Sequence, residues 1–159
     1  MHKKFIIDRN FNPFPAEEDD ELYRNGIFIF NITKMLEYIR DNPDLFIPEV
    51  ISVKKVYSKS PYINESHLDI VDISAPVILA EIAPDRYNLI DGNHRVEKAH
   101  RQNIESVNAY RIKAEQHIRF LVSREAYEKY VEYWNGKIKD MKGLLERPGK
   151  REAIVTANL

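Results

Sequence analysis

The residues best suited to chemistry in this sequence stand side by side, where a short apolar run gives way to polar residues. They are Asp91, Gly92, Asn93, His94 and Arg95. Gly92 permits a tight turn that other residues would strain, and a helical pattern begins directly after it. The first N–H groups of a helix have no partner within the helix and carry the positive end of its dipole. Together with the planar Arg95 guanidinium, they predict a site for a phosphate or a carboxylate.

Each side chain at this turn has a structural as well as a chemical interpretation. The backbone of residues 93–95 would cradle phosphate oxygens, and His94 would bond a phosphate or move a proton. Asp91 either holds Mg²⁺ through water or acts as a base, or it only caps the helix while the following charges lie in water. No two-histidine metal site is predicted, because His94 and His100 are six residues apart and cannot share one helix face.

A β-hairpin over residues 76–90 is expected to position this turn. The first strand, 76–83, is apolar on both alternating faces, which is typical of a central strand that is covered on both sides. Pro84 and Asp85 then form a two-residue turn, and residues 86–90 return. The expected cross-strand pairs are Ala83 with Arg86, Glu81 with Asn88, and Leu79 with Ile90.

The same hairpin decides which acidic residues can reach the turn. It puts Glu81 at the opposite end from Gly92, roughly 10 Å away at ~3.3 Å per residue, so Glu81 is expected at the sheet rim. The entry to the first strand, near Ser74, lies toward Gly92. One or two polar residues of the preceding irregular segment would therefore complete a site, although each taken singly is an ordinary loop residue. These candidates are Glu65, His67, Asp69 and Asp72.

The remaining elements follow from hydrophobic period and turn residues. Further strands are predicted at 3–8, 27–30, 50–57 and 106–112, helices at 31–42, 115–121 and 124–145, and a loop at 11–26. Asn31 or Thr33 would cap the first helix and Ser123 the long last one. The last helix carries an apolar stripe that predicts core packing. Residues 151–159 form either an edge strand or a loose tail, and His2 and His117 are expected at the surface.

Composition limits the class of protein. The 159 residues predict a single α/β domain with a mixed sheet and a long C-terminal helix. Because 24 basic residues balance 25 acidic ones, DNA is a possible partner but not the favoured one. The absence of cysteine excludes disulfides, thiolate nucleophiles and cysteine-bound zinc. No signal peptide or membrane span is evident, so a cytoplasmic protein with no membrane partner is expected.

The segment "YNLIDGNHRVEKA" resembles the ParB/sulfiredoxin superfamily. Members carry a strand, a Gly-x-x-Arg or Gly-x-His-Arg turn, and a helix with an alanine a few residues on, which here are Gly92 to Arg95 and Ala99. The resemblance covers roughly residues 50–113, including the hairpin and the strand "SVNAYRI". It implies a ParB/sulfiredoxin-like fold, and it implies ATP or ADP, with CTP as an alternative, bound at the turn.

Branches of this superfamily use the turn differently. The sulfiredoxin branch has a cysteine where Asn93 stands, so sulfinic-acid repair by that route is excluded. The partition-protein branch adds a helix-turn-helix domain, and the residues after 113 show no such module. "Asp91-Gly92-Asn93-His94-Arg95" is most similar to the turn of the ADP-dependent serine kinase branch. Some members are labelled nucleases.

Three hypotheses about function follow. The first is a domain that binds a nucleotide or another phosphorylated ligand and acts as a phosphotransferase or phosphohydrolase, with Asp91 and His94 as catalytic candidates. Its phosphate-binding residues would be Gly92, Asn93, His94 and Arg95. The second is a DNA-binding or nuclease-like domain of the partition type, and the third is an interaction module without catalysis. The first two require an anion at the Gly92 turn, whereas the third does not.

Overall fold

The computed structural model describes residues 2–145, which form a mixed α/β fold with two sheets. A hairpin of β1 (Leu22–Asn25) and β2 (Phe28–Asn31) makes the smaller sheet. The larger sheet contains β3 (Glu49–Ser52), β4 (Val77–Ala83), β5 (Arg86–Asp91) and β6 (Ser106–Ile112), in the order β3-β6-β4-β5. The helices are α1 (Ile32–Asp41), α2 (Val53–Val56), α3 (Glu65–Leu68), α4 (Asn93–Arg101), α5 (Ala114–His117) and α6 (Arg124–Leu145). The α/β class and the long α6 are as predicted.

Strand β4 is the centre of the larger sheet. It pairs antiparallel with β5 and parallel with β6, and all seven of its residues are buried. Val77 and Leu79 pack against the apolar side of α4 on one face. Ile78, Ala80 and Ile82 pack on the other face in a larger cluster with α1 and α6. The prediction of a central strand covered on both sides is confirmed.

The β4–β5 hairpin forms, but two irregularities change its predicted register. The pair Ala83 with Arg86 is confirmed, and Asp85 takes a positive φ of 60° in the turn. The other expected pairs are wrong. Glu81 lies opposite Tyr87, Leu79 opposite Leu89, and Ile78 opposite Asp91. Because both faces of β4 are apolar, a register shift exposes no apolar side chain, so alternation along the sequence could not reveal it.

Three other predicted segments differ. Residues 3–8 form no strand, since side chains of α6 bond their backbone: Asn135 bonds both N–H and C=O of Phe5, and Trp134 donates to Lys3 O. The predicted strand 50–57 ends at Ser52, and its continuation is the short helix α2. The predicted loop 11–26 contains β1.

Helix α6 begins and packs as its sequence predicts. Ser123 Oγ accepts the N–H of Ala126 at its start. Tyr127, Tyr130, Val131, Trp134 and Ile138 are buried along one side. None of the helices within residues 2–145 is both long and apolar enough to cross a membrane. The prediction for 151–159 lies outside the described residues.

His117 is fully buried, so its predicted surface position is wrong. Its ring lies edge-on to Phe30 and Tyr130. The residues next to His117 in the sequence give no sign of these contacts, because both rings come from distant parts of the chain. His117 Nε2–H donates to Glu81 O at 2.6 Å, and Tyr130 OH donates to the same oxygen at 2.7 Å. His117 Nδ1 is buried without a partner among the described residues. Burial therefore lowers the pKa of His117 to about 4, because a proton on Nδ1 would be an unsatisfied buried donor.

This burial predicts a loss of stability in mild acid. Between pH 6.5 and 4 the unfolded chain binds a proton on residue 117 that the folded chain does not, so stability falls as pH falls. From pH 7.5 to 5 we expect the free energy of unfolding to drop by roughly 2 kcal/mol from this group. Urea unfolding at several pH values measures the drop.

The His117→Gln variant is the control, because its amide can still donate to Glu81 O but does not titrate. Its pH dependence should be flatter than that of the wild type by the same amount. Parallel curves for the two proteins between pH 7.5 and 5 would show that His117 does not couple folding to pH.

Candidate functional site

The turn between β5 and α4 depends on Gly92. Gly92 has a φ of 107°, which L side chains rarely adopt, and it stands at the N-cap position of α4. A Cβ there would lie 2.8 Å from Val77 Cβ and closer still to Val77 Cγ1. Since Val77 is fully buried at the start of β4, it has no room to move. The helix starts at Asn93 as the sequence predicts.

The start of α4 faces an open cleft of about 730 Å³. All five predicted site residues, Asp91 to Arg95, line this cleft. None of the residues at the helix start has a side-chain cap on the first N–H groups. Those groups therefore point the positive end of the α4 dipole into the cleft.

The other walls of the cleft come from distant parts of the chain. Strand β1 and the residue before it contribute residues 21–24, including Arg24, and the segment after α2 contributes residues 58–62, including Lys59. Three basic residues thus line the cleft, Arg24, Lys59 and Arg95, against two acidic ones, Glu21 and Asp91. The cleft is therefore weakly positive at neutral pH, although the whole chain has a net charge of -1.

Arg95 and Asp91 form a pair at the mouth of the turn. Arg95 Nη1 donates to Pro76 O at 2.8 Å, and Arg95 Nη2 lies 3.5 Å from Asp91 Oδ2. Asp91 Oδ2 is buried and has no hydrogen-bond partner among the described residues. The pair fixes the guanidinium in place while leaving several of its five N–H donors for a ligand. A carboxylate oxygen that faces a guanidinium but accepts no hydrogen bond suits a base or a ligand of hydrated Mg²⁺.

His94 is also fixed, by the segment that precedes β4. The N–H of Asn64 donates to His94 Nε2 at 3.0 Å, so that nitrogen carries no proton in this arrangement. Asn64 in turn caps α3 through Ser66 N. Using His94 Nε2 toward a phosphate would require this hydrogen bond to break.

The other cationic side chains of α4 are engaged within the chain. Lys98 Nζ donates to Val71 O at 3.1 Å, and Arg101 makes a two-pronged ion pair with Glu65 at 2.6 and 2.9 Å. The Arg101 guanidinium lowers the pKa of Glu65. His100 stacks on Tyr57, with ring centroids 3.7 Å apart. His100 and Arg101 are nonetheless exposed, so this part of the helix lies in water as the structural interpretation expects. The same side chains also hold the segment 57–76 against α4.

The four polar candidates of that segment do not line the cleft. Glu65 is bonded to Arg101, and Asp72 Oδ1 accepts the N–H and hydroxyl of Ser74, which lower the pKa of Asp72. His67 lies 5.4 Å from His94, measured between ring centroids. Glu81 lies at the turn end of the hairpin, as predicted, but it is 4% exposed rather than at an open rim.

Residues that the sequence did not indicate complete the cleft. Arg24, Lys59 and Tyr62 come from segments that turn chemistry marks as loop or irregular. Only the packing of β1 near β5 and the ties from α4 to the segment 57–76 bring them to Gly92. Nothing in their local spacing signals a ligand site.

Comparison of the chain with protein-family models, curated proteins and solved structures found no match. The resemblance of residues 50–113 to the ParB/sulfiredoxin superfamily therefore stays a hypothesis that rests on the sequence motif.

Substituting Gly92 tests the turn on which the site depends. We expect Gly92→Ala to destabilise the protein by about 2–4 kcal/mol, since it adds both a strained φ and a clash with Val77. Gly136→Ala is the matched control, because Gly136 lies exposed within α6 and a Cβ there meets nothing within 4 Å. That control should gain about 0.5–1 kcal/mol from helix propensity. Denaturant unfolding compares the two, and similar stabilities for both variants would contradict the described turn.

Proposed function

We propose that the cleft binds the phosphates of a nucleotide, ADP or ATP, with CTP as the alternative. The observation that carries the proposal is that the uncapped start of α4 faces a cleft which also receives Arg24 and Lys59 from two other segments. Its volume of about 730 Å³ falls in the usual range for small-molecule sites, ~300–1,000 Å³. We also propose that the protein is cytoplasmic, as the sequence predicts.

The phosphate groups would bind at the helix start. The N–H groups of residues 93–95 would donate to phosphate oxygens, and Gly92 lets the backbone approach them closely. Arg95 would add a charge-assisted contact while its bond to Pro76 O holds it in position. A side chain that is already ordered loses little conformational entropy when the ligand binds.

The base would lie toward the outer wall of the cleft. Tyr62 lines the cleft and is 87% exposed, and its ring stacks on no other aromatic ring among residues 2–145. Stacking of a base on an exposed ring is typically worth ~1–3 kcal/mol. Tyr62 therefore gives a reason to prefer a nucleotide over pyrophosphate.

Phosphoryl transfer or hydrolysis is the class of reaction that these residues suit. Asp91 would accept a proton from an attacking hydroxyl or water, or hold Mg²⁺ through water beside the phosphates. His94 would carry a proton once its bond from Asn64 is released.

The engaged charges of α4 favour a small anion over DNA. A duplex-binding surface needs several free cations along one face. Here Lys98 and Arg101 are paired with groups of the same chain. An interaction module without chemistry predicts no anion binding at all, so one titration separates it from our proposal.

Neutralising the two cleft cations outside α4 is the sharpest test. The side chains of Arg24 and Lys59 make no ion pair among the described residues, and both are exposed, so their loss should not affect folding. We expect Arg24→Gln with Lys59→Gln to weaken ADP and ATP binding about ten-fold or more, in a salt-dependent way. Isothermal titration calorimetry with Mg²⁺ present, at two salt concentrations, measures this change.

The matched control is Arg86→Gln with Lys55→Gln, which removes the same charge from exposed positions outside the cleft. It should bind like the wild type. Equal losses of nucleotide affinity in the two double variants would show that net charge, and not the cleft, determines binding. Wild-type protein that binds none of ADP, ATP and CTP would refute the proposal.

A further inference from the structure

A group of side chains that can ligate a metal ion lies at the opposite end of the β4–β5 hairpin from Gly92. His2, Glu81 and Asp85 each offer one ligand atom, and these atoms lie within 4.8 Å of one another. The hairpin turn brings Glu81 and Asp85 together. His2 reaches them because Trp134 and Asn135 of α6 hold the backbone of residues 3 and 5.

Glu81 is the unusual member of this group. It is 4% exposed, and its carboxylate oxygens accept the N–H groups of Asp85 and Ala114. Among the ion pairs of residues 2–145 none involves Glu81, so no basic side chain there compensates its charge directly. A buried carboxylate without a cation is costly, and each oxygen here still has a free lone pair.

We propose that His2, Glu81 and Asp85 form a binding site for a divalent transition metal of the zinc class. One imidazole nitrogen and two carboxylate oxygens are ligands that Zn²⁺ accepts at about 2.0–2.2 Å. The divalent charge would balance the two carboxylates. Imidazole favours Zn²⁺ or a similar transition metal over Mg²⁺ and Ca²⁺, which take oxygen ligands.

The present contacts need only a small change to accept the ion. His2 Nε2 lies 2.8 Å from Asp85 Oδ2, which is a hydrogen-bond distance. A metal would replace this direct contact and draw in the Glu81 carboxylate from the buried side. Since the Asp85 side chain is 81% exposed, the fourth coordination position would face solvent.

The consequence would be a metal-dependent tie between the N-terminal segment and the turn of the hairpin. His2 would be fixed beside Trp134, whose ring centroid lies 5.5 Å from that of His2. This site is separate from the Gly92 cleft and does not depend on the nucleotide proposal.

Trp134 provides a direct readout, because it is the only tryptophan in the chain. Untagged protein of residues 1–159, stripped with EDTA, would be titrated with Zn²⁺ by calorimetry and with Co²⁺ while Trp134 fluorescence is followed. We expect one site for Zn²⁺, quenching by paramagnetic Co²⁺, reversal by Zn²⁺ and no reversal by Mg²⁺.

Two variants test the assignment without touching the buried Glu81. His2→Ala and Asp85→Asn should each weaken Zn²⁺ binding by about ten-fold or more and abolish the quenching. Asparagine tolerates the positive φ of residue 85, so the turn should be kept. His67→Ala is the matched control, since His67 is an exposed histidine outside the group.

The proposal is overturned if wild-type protein shows no Zn²⁺ binding at 1:1 stoichiometry. It is also overturned if His2→Ala binds as tightly as the wild type, or if His67→Ala loses as much affinity. Zn²⁺ binding without quenching of Trp134 by Co²⁺ would place the ion elsewhere and would also overturn the proposal.

Discussion

The close approach of Gly92 to Val77 is the constraint on which the cleft at the start of α4 depends. Val77 begins the buried central strand, and the chain must pass it to turn from β5 into α4. Only a residue without a Cβ fits there. The same approach fixes where α4 starts and hence where its free N–H groups point. A packing requirement in the core thus determines the direction of the helix dipole in the cleft.

Charge on α4 then determines the shape of the cleft. Lys98 and Arg101 bind groups of the segment 57–76, and His94 accepts an N–H from the same segment. Such ties are individually weak where they are exposed. Together they hold a long segment, residues 57–76, in which Leu68 is the one hydrophobic residue that is fully part of the core. The helix that offers the candidate anion site therefore also holds one wall of it, so changes to its charges would alter both.

The sequence predicted the elements whose pattern is strong and local. A seven-residue apolar strand, the Pro84–Asp85 turn, the glycine before α4 and the spaced apolar stripe of α6 all appear where expected. What it missed depends on contacts between distant residues. The backbone near Phe5 is satisfied by Asn135 rather than by a strand, and His117 is buried by aromatic rings from β2 and α6. For the site, the helix start was predictable, whereas Arg24, Lys59 and Tyr62 were not, because only tertiary packing brings them there.

Asp91 sets the condition under which this cleft can hold a phosphate. Its buried Oδ2 lies 3.5 Å from Arg95, so an arriving phosphate would share the guanidinium with a carboxylate of the same charge. The cleft has only one more basic than acidic residue, which is too little to balance a nucleoside di- or triphosphate. A divalent cation between Asp91 and the phosphate would turn the repulsion into attraction, because bound cations are the largest local charges in such sites. The proposed nucleotide would therefore bind as its magnesium complex rather than free, with the Asp91 carboxylate beside the ion.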